Sequence, residues 1–231
     1  KHHSVIVVGG GPGGLGVSAL LNGWFPYLID GSNSQVFGPK IASQLTGTSD
    51  DLFSLDMNVL VEAGITPLDL FRTLHHPSND YRGRASRALG FGKKPSIDWL
   101  MLSLDPAGGL WNHVARNQLT LSPAHWMELA PYRIDDFFDE IRCKHDPNHL
   151  IRKSDLLAYY RHYALKTGIT DRMVTNTRVT RISSNSGPER FNVEAMSTLD
   201  GTVTGYTADF IVFAVGPRGI LRKLDVPGEN L

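Results

Sequence analysis

A glycine-rich turn between an apolar run and a helical segment constrains the fold of this chain more than any other feature. Ser4 to Val8 is a short β-branched run typical of a buried parallel strand. The turn Gly9-Gly10-Gly11-Pro12-Gly13-Gly14 follows, and Gly14 to Leu21 has the small and aliphatic residues of a helix that ends at Asn22-Gly23. A second strand is predicted from Trp24 to Ile29. This order of elements begins a Rossmann-like unit.

The glycines of the turn match the dinucleotide-binding pattern G-x-G-x-x-G in its required place between a strand and a helix. Gly9 permits the tight turn, Gly11 lets the backbone approach a pyrophosphate, and Gly14 lets the helix pack against the strand. Pro12 and Gly13 complete the turn, where the helix N-terminus presents free N–H groups to the phosphates. We predict that these residues hold the phosphates of a dinucleotide.

An acidic residue follows the second predicted strand. Asp30 lies at the tip of that strand, where a carboxylate accepts hydrogen bonds from the ribose hydroxyls of a dinucleotide. The combination of turn, strand, helix and acid favours a dinucleotide site over a glycine-rich turn that binds nothing. Because the same turn and acid serve both FAD and NAD, these residues leave the choice of cofactor open.

The regular alternation of strands and helices breaks after the second strand. Residues from about 35 to 105 are predicted to form an irregular insertion with helices. One helix is expected to begin at Thr66, because Thr66-Pro67-Leu68-Asp69 supplies a capping hydroxyl, a first-turn proline and an acid at the third helical position. Ser78 to Lys94, with basic residues among glycines, is expected to be a solvated loop. Further short helices are expected at Ser122-Pro123 and from Ile134.

The second half of the chain returns to regular periodicity. Ser154 is the expected cap of a helix with an apolar stripe that ends at Gly168. An antiparallel meander is predicted from Met173 to Ile182, Phe191 to Met196 and Thr202 to Tyr206. The apolar run from Asp209 to Val215 is predicted to return to the central sheet. We therefore predict an α/β fold over residues 1–231: a Rossmann-like FAD-binding domain with a central parallel sheet, helices and a small antiparallel β-meander. The assignment to FAD follows from fold analogy, since a meander before an apolar strand ending in glycine completes the flavin lobe of two-dinucleotide flavoproteins.

The composition narrows the class of partner. Lysine plus arginine equals aspartate plus glutamate at 23 each, so no overall field favours nucleic acid, and a small molecule is the expected partner. Cys143 is the single cysteine, which predicts a reducing, cytoplasmic location. No apolar run approaches the roughly 20 residues of a membrane-spanning helix. No metal-ligand spacing or nucleophile motif is present, so no catalytic residue is predicted.

A second glycine cluster comprises Gly108, Gly109, Leu110 and Trp111. It is able to bring backbone close to a flat ring while the indole packs nearby. An ordinary turn beside a core tryptophan has the same pattern, and the residues alone do not decide between the two.

Several short motifs occur together along nearly the whole chain. They are Val5 to Leu21, Leu52 to Asp56, Leu70-Phe71 with His76-Pro77, Gly108 to Trp111, Leu121-Ser122 with His125-Trp126-Met127, and Tyr159 to Arg161. With these motifs the chain resembles the oxidative stress-induced growth inhibitor family, a branch related to flavin-containing monooxygenases. The middle motifs are more specific to that family than the glycine fingerprint is.

The resemblance implies roles for residues that their chemistry alone does not settle. In related monooxygenases the segment like Gly108 to Trp111 lies against the flavin. By the same resemblance, Val179 in the first meander strand meets the adenine through its backbone. Ala214 and Gly216 belong to the motif that closes the flavin lobe, although Val215 replaces the usual threonine.

The resemblance also implies FAD as cofactor, NADPH as hydride donor and insertion of one oxygen atom into a substrate. Active relatives carry a second glycine fingerprint for NADPH downstream, and we expect that module to be absent here. The chain is therefore expected to hold FAD without completing turnover. In animals the family is associated with restraint of growth, so a regulatory protein with a protein partner and a structural or vestigial flavin is an alternative. A third interpretation is an NAD-binding dehydrogenase.

Overall fold

A six-stranded sheet lies at the centre of the fold. The computed structural model describes residues 1–29, 42–43, 52, 55–75, 89–146, 149–184, 187, 190–216 and 226. Its strands are β1 (His2–Val8), β2 (Trp24–Leu28), β3 (Leu89–Lys93), β4 (Trp99–Leu102), β5 (Met173–Val174), β6 (Thr177–Ser184), β7 (Phe191–Ser197) and β8 (Val203–Phe213). Its α-helices are α1 (Pro12–Leu21), α2 (Met57–Glu62), α3 (Pro67–His75), α4 (Ile134–Glu140) and α5 (Lys153–Lys166).

The strand order of the sheet is β5-β4-β1-β8-β7-β6. The four strands β5, β4, β1 and β8 are parallel, whereas β8, β7 and β6 form an antiparallel meander. Strand β1 is central, since Val5 pairs with Trp99 on one side and with Phe210 on the other. The predicted α/β fold with a central parallel sheet and a small meander is confirmed.

The alternation of side chains along β1 separates two hydrophobic clusters. Val5 and Val7 pack in one cluster with Leu15 of α1 and the tyrosines of α5. Ile6 and Val8 pack in the other cluster, which includes residues of the meander. Because both faces of β1 are covered, every position from Val5 to Val8 is apolar, as is usual for a parallel strand.

Helix α5 attaches to the sheet through buried tyrosines. Tyr159, Tyr160 and Tyr163 are fully buried. Their hydroxyls donate to the backbone carbonyls of Tyr132 (2.6 Å), Met127 (3.1 Å) and Ala130, respectively. Burial raises the pKa of all three hydroxyls above its ordinary value, so they remain neutral hydrogen-bond donors at physiological pH.

The start of α5 differs from the prediction. The N-cap residue is Arg152, and no side chain caps the helix. Ser154 lies two residues after the N-cap position, and its hydroxyl donates to Asp155 instead, at 3.3 Å. The cap predicted at Thr66 is confirmed, because its hydroxyl accepts from the Asp69 amide at 3.1 Å while the Asp69 carboxylate accepts from the Thr66 amide.

The predicted insertion contains a strand of the central sheet. Strand β4 pairs with β1 in parallel from Trp99 to Leu102. The sequence run is only four residues long and lacks β-branched side chains, so it gives no clear strand pattern. Two meander boundaries also differ. The run from Met173 to Ile182 divides into β5 and β6, and β8 is one continuous strand instead of two.

The second predicted strand lies outside the central sheet. Strand β2 pairs antiparallel with β3, which occupies part of the segment predicted as a solvated loop. The glycines of β3 suggest a loop, but aromatic rings on β2 cover them. The ring of Tyr27 lies over Gly90 and the ring of Phe25 lies over Gly92, where an added Cβ would come within 2.5 Å of the ring. These rings supply the packing that the glycines lack.

Replacing Gly92 by alanine is expected to destabilise the fold by about 1 kcal/mol, because the Phe25 ring must move away from the strand. Gly205→Ala in β8 is the matched control. An added Cβ there meets no atom within 4 Å, so no loss of stability is expected. The measurement is the urea midpoint of each variant. Equal midpoints would contradict the role given to the Phe25 ring.

A buried ion pair attaches α3 to the segment that leads into α4. The His75 Nε2 atom lies 2.9 Å from Oε1 of Glu128, and both side chains are less than a tenth exposed. Oε2 of Glu128 accepts from the Ile134 amide at 3.3 Å, and Arg133 donates to the His75 carbonyl at 2.6 Å. The His75 ring also stacks on Phe71, with centroids 5.2 Å apart. Both side chains of this pair are therefore held away from water.

Candidate functional site

A cavity of about 670 Å³ opens at the carboxyl ends of β1, β4 and β8. In open α/β sheets, ligands bind at this edge of the strands. The lining residues are Val8, Gly9, Gly10, Gly11, Pro12, Gly13, Leu102, Ser103, Leu104, Asp105, Gly109, Leu110, Trp111, Thr177, Arg178, Val179, Ala214, Val215 and Gly216.

The glycine fingerprint forms the floor of this cavity. Gly9 has a φ of +112°, and a Cβ at this position would lie 2.8 Å from the carbonyl carbon of Ala214. A Cβ on Gly14 would overlap the carbonyl oxygen of Gly9. Gly14 itself does not line the cavity. The turn thus needs glycine at both positions for its own packing, before any ligand is considered.

Backbone donors at the start of α1 point to an anion site. The Gly10 amide donates to the Ser103 hydroxyl at 3.1 Å, and Pro12 has no amide hydrogen. Within the described residues, the amides of Gly11, Gly13 and Gly14 have no protein acceptor. These three donors and the positive end of the helix dipole favour a phosphate group at this edge of the cavity.

The second glycine cluster packs directly on the first. Gly108 donates to the Gly10 carbonyl at 2.9 Å. Gly109 has a φ of +53°, and a Cβ there would lie 2.7 Å from the Cα of Gly11. Two backbones therefore meet without side chains between them. This close approach is a structural reason for the cluster that neither interpretation of the sequence considered.

The residues after this contact turn toward the cavity. Leu110 and Trp111 lie in a 3₁₀-helix, Gly109–Asn112, and both line the cavity. Trp111 also packs against the hydrophobic core, whereas Gly108 is not part of the cavity wall. Contact of this segment with a flavin ring stays a prediction.

Residues of β6 and of the segment after β8 complete the wall. Val179 lies beside an irregularity in the β6–β7 register and lines the cavity. Ala214 donates to the Val8 carbonyl at 2.9 Å, and Gly216 has a φ of +68°. Val179, Ala214 and Gly216 therefore line the same cavity as the fingerprint residues Gly9 and Gly11. Adenine contact at Val179 stays a prediction.

The predicted ribose acceptor, Asp30, lies outside the described residues. A different carboxylate, that of Asp105, lines the cavity and is a candidate for the same role. Strand β4 takes the place beside β1 that was expected for the second strand, and Asp105 follows its end and lines the cavity. Sequence reasoning missed Asp105 because its strand was assigned to the insertion. The signal was present as a short apolar run followed by Ser103-Leu104-Asp105 and the second glycine cluster.

Hydrogen bonds fix Asp105 and its neighbours to the fingerprint. The Ser103 hydroxyl donates to the Asp105 carbonyl at 2.7 Å and accepts from the Gly10 amide. Oδ1 of Asp105 lies 2.6 Å from Nε2 of His113. The carboxylate side chain is 17% exposed, so it is partly shielded from water while it borders the cavity.

The described residues contain neither a metal-binding group nor a membrane-spanning helix. No group of three histidine, cysteine or acidic side chains there is placed to hold a metal ion. No described helix has the length and apolar character needed to cross a membrane.

No protein-family model matches the chain. It is 27% identical over 252 aligned residues to oxidative stress-induced growth inhibitor 1 of Mus musculus and 26% identical over 247 residues to the Homo sapiens protein of that name. Each alignment covers 98% of this chain and 51% of the relative. The chain therefore spans about half the length of the curated relatives it matches.

Solved structures share the fold at lower sequence identity. S-allyl-L-cysteine S-oxygenase from Allium sativum matches with a TM-score of 0.54 and 12% identity, over 100% of this chain and 40% of that one. Bacillithiol disulfide reductase from Bacillus cereus matches with a TM-score of 0.52 and 18% identity, over 100% of this chain and 45% of that one. A steroid monooxygenase bound to NADP matches with a TM-score of 0.51 and 15% identity, over 96% and 28%. The chain thus resembles the oxidative stress-induced growth inhibitors in sequence over nearly its whole length, as predicted, and shares its fold with Rossmann-like oxidoreductases.

Proposed function

We propose that residues 1–231 form the FAD-binding lobe of an NADPH-dependent, monooxygenase-like oxidoreductase in the cytoplasm. The observation that carries this proposal is the cavity where two glycine turns, the N-terminus of α1 and Asp105 meet. Its volume falls within the range of about 300–1,000 Å³ that is usual for cofactor pockets. The names of the fold relatives, two oxygenases and a disulfide reductase, support redox chemistry.

The residues present fit a dinucleotide. The amides of Gly11 and Gly13 are proposed to hold the pyrophosphate, and Asp105 is proposed to accept the hydroxyls of the adenosine ribose, because all three residues line the cavity. The absence of a Cβ at Gly109 lets its backbone pack directly on Gly11, which holds the two glycine turns together at this edge of the cavity.

The remaining walls suit the two ends of the cofactor. Val179 of β6 is proposed to border the adenine, while Leu110, Trp111, Ala214 and Gly216 are proposed to lie toward the flavin. When bound, FAD supplies the transfer of hydride and electrons. The protein holds it in place and limits access of water, which is the usual division of labour in a flavoprotein.

The first test is retention of FAD by the purified protein, with the two candidate acids compared. We expect bound flavin after desalting, and we expect Asp105→Asn to weaken FAD about tenfold, since a hydrogen bond to a charged group contributes about 1.5 kcal/mol. Asp171→Asn, which changes an exposed carboxylate away from the cavity, is the matched control. FAD affinity is measured by fluorescence titration. Loss of affinity in Asp30→Asn but not in Asp105→Asn would return the ribose role to Asp30, and a folded protein that ignores FAD would contradict the proposal.

A second candidate function is a growth- or stress-regulatory protein with a partner protein and a structural or vestigial flavin. The names of the curated relatives favour it. It predicts bound FAD without oxidation of NADPH. NADPH oxidation with formation of an oxygenated product by a flavin-loaded protein of the relatives' length would favour the enzyme. Tight binding of NAD with no affinity for FAD would instead support a dehydrogenase.

A further inference from the structure

A pair of side chains closes the loop that follows β4 and contains the second glycine turn. Asp105 begins this loop and His113 ends it, and their Oδ1 and Nε2 atoms lie 2.6 Å apart. A carboxylate of this kind only accepts hydrogen bonds, so the Nε2 atom of His113 is the donor. Asn112 closes the loop from inside by donating to the carbonyls of Pro106 at 3.1 Å and Gly109 at 3.0 Å.

Helix α5 holds the far end of this loop. Lys153 donates to the Val114 carbonyl at 2.6 Å and to the Asn112 carbonyl at 3.2 Å. Arg161 donates to the Asn112 side chain at 3.4 Å. His113 therefore projects from a backbone that is held on both sides of it by hydrogen bonds from α5.

The two side chains differ in their relation to the cavity. Asp105 lines the cavity, whereas His113 lies behind it and is about half exposed. An ionised carboxylate has about four acceptor positions, so a bond from His113 leaves capacity for ribose hydroxyls. The imidazole thus contacts the proposed ribose acceptor without occupying the space of the cofactor.

Resting on the proposed function, we propose that His113 is a positioning residue for FAD: it fixes the Asp105 carboxylate in the orientation that accepts the ribose hydroxyls. A side chain that is already held in its binding orientation loses less conformational freedom when the ligand binds, which strengthens binding. His113 acts through Asp105 and does not touch the cofactor. An ion pair this exposed contributes little to folding stability, so its effect is expected on affinity.

The test measures FAD affinity and the melting temperature of the flavin-free protein in two variants. His113→Leu removes the donor and is expected to weaken FAD about three- to tenfold with little change in melting temperature. His113→Gln keeps an N–H donor and is expected to restore most of the affinity. His149→Leu is the matched control, because His149 forms a similar exposed pair with Asp146 at 3.1 Å away from the cavity.

A double variant separates positioning from a general structural effect. If His113 acts only through Asp105, His113→Leu causes no further loss of affinity when it is added to Asp105→Asn. Three results would overturn the inference and leave the proposed function standing. The first is an equal loss of FAD affinity from His113→Leu in the wild-type and Asp105→Asn backgrounds. The others are a His113→Gln variant that binds FAD as weakly as His113→Leu, and wild-type affinity in His113→Leu. If the wild-type protein retains no FAD, both the inference about His113 and the proposed function are overturned. That result is obtained before any variant is made.

Discussion

Replacing Gly9 by alanine is expected to destabilise the fold by about 3 kcal/mol or more and to abolish retention of FAD. The backbone at Gly9 has a φ of +112°, which side chains other than glycine rarely adopt. The added Cβ would also meet the Ala214 backbone, with 2.8 Å to its carbonyl carbon. Neither β1 nor β8 is free to move, since the two strands pair along most of their common length.

Gly16→Ala provides the control for this prediction. Gly16 lies inside α1, and a Cβ there meets nothing within 4 Å. Alanine is the better helix former, so this variant is expected to be about 0.5–1 kcal/mol more stable than the wild type. Chemical denaturation gives both values, and FAD titration follows on the folded variants. A Gly9→Ala protein as stable as Gly16→Ala would show that the fingerprint turn is not held as described.

Removing the carboxylate of Glu128 is expected to cost a comparable amount of stability. In Glu128→Ala the buried His75 side chain loses its ion-pair partner and the Ile134 amide loses its acceptor. Breaking a buried pair from one side typically costs about 3–5 kcal/mol. We expect about 3 kcal/mol here, since neighbouring groups relax in part.

The matched comparison is Asp146→Ala, which breaks the exposed pair with His149 and is expected to cost less than about 0.5 kcal/mol. The double variant His75→Phe with Glu128→Met removes both charges and keeps a ring against Phe71. It is expected to be more stable than Glu128→Ala, because it leaves no buried imidazole facing a missing carboxylate, while the Ile134 amide loses its acceptor equally in both variants. The measurement is the chemical denaturation midpoint of each variant. A Glu128→Ala midpoint close to that of Asp146→Ala would contradict the importance of the pair.

Local signals in the sequence predicted the elements that are stabilised locally. The apolar run of β1, the glycine turn and α1 follow one another without a gap, so the pattern and the structure agree. The capping box at Thr66 likewise depends on residues three positions apart. Strand β4 has no such signal. It is a strand because β1 lies beside it, and that pairing joins segments distant in the chain.

The candidate site was predicted in part for the same reason. Gly9 and Gly11 of the fingerprint and the segments around Trp111, Val179 and Ala214 line one cavity, whereas Gly14 does not. Asp105 could not be assigned without knowing which strand lies beside β1. The loop prediction for β3 failed through another non-local effect, since rings from β2 pack over Gly90 and Gly92 and compensate for their missing side chains.

The continuous strand β8 has a consequence for the order of events during folding. His2 at the start of β1 meets Thr207 of β8, 205 positions later in the chain. Contacts between such distant segments form late, because closing a long loop costs entropy before the contact is gained. During synthesis, β1 emerges from the ribosome long before β8. The fingerprint turn therefore packs against Ala214 only after residue 214 has been translated, and we expect capture of the proposed FAD to follow that step.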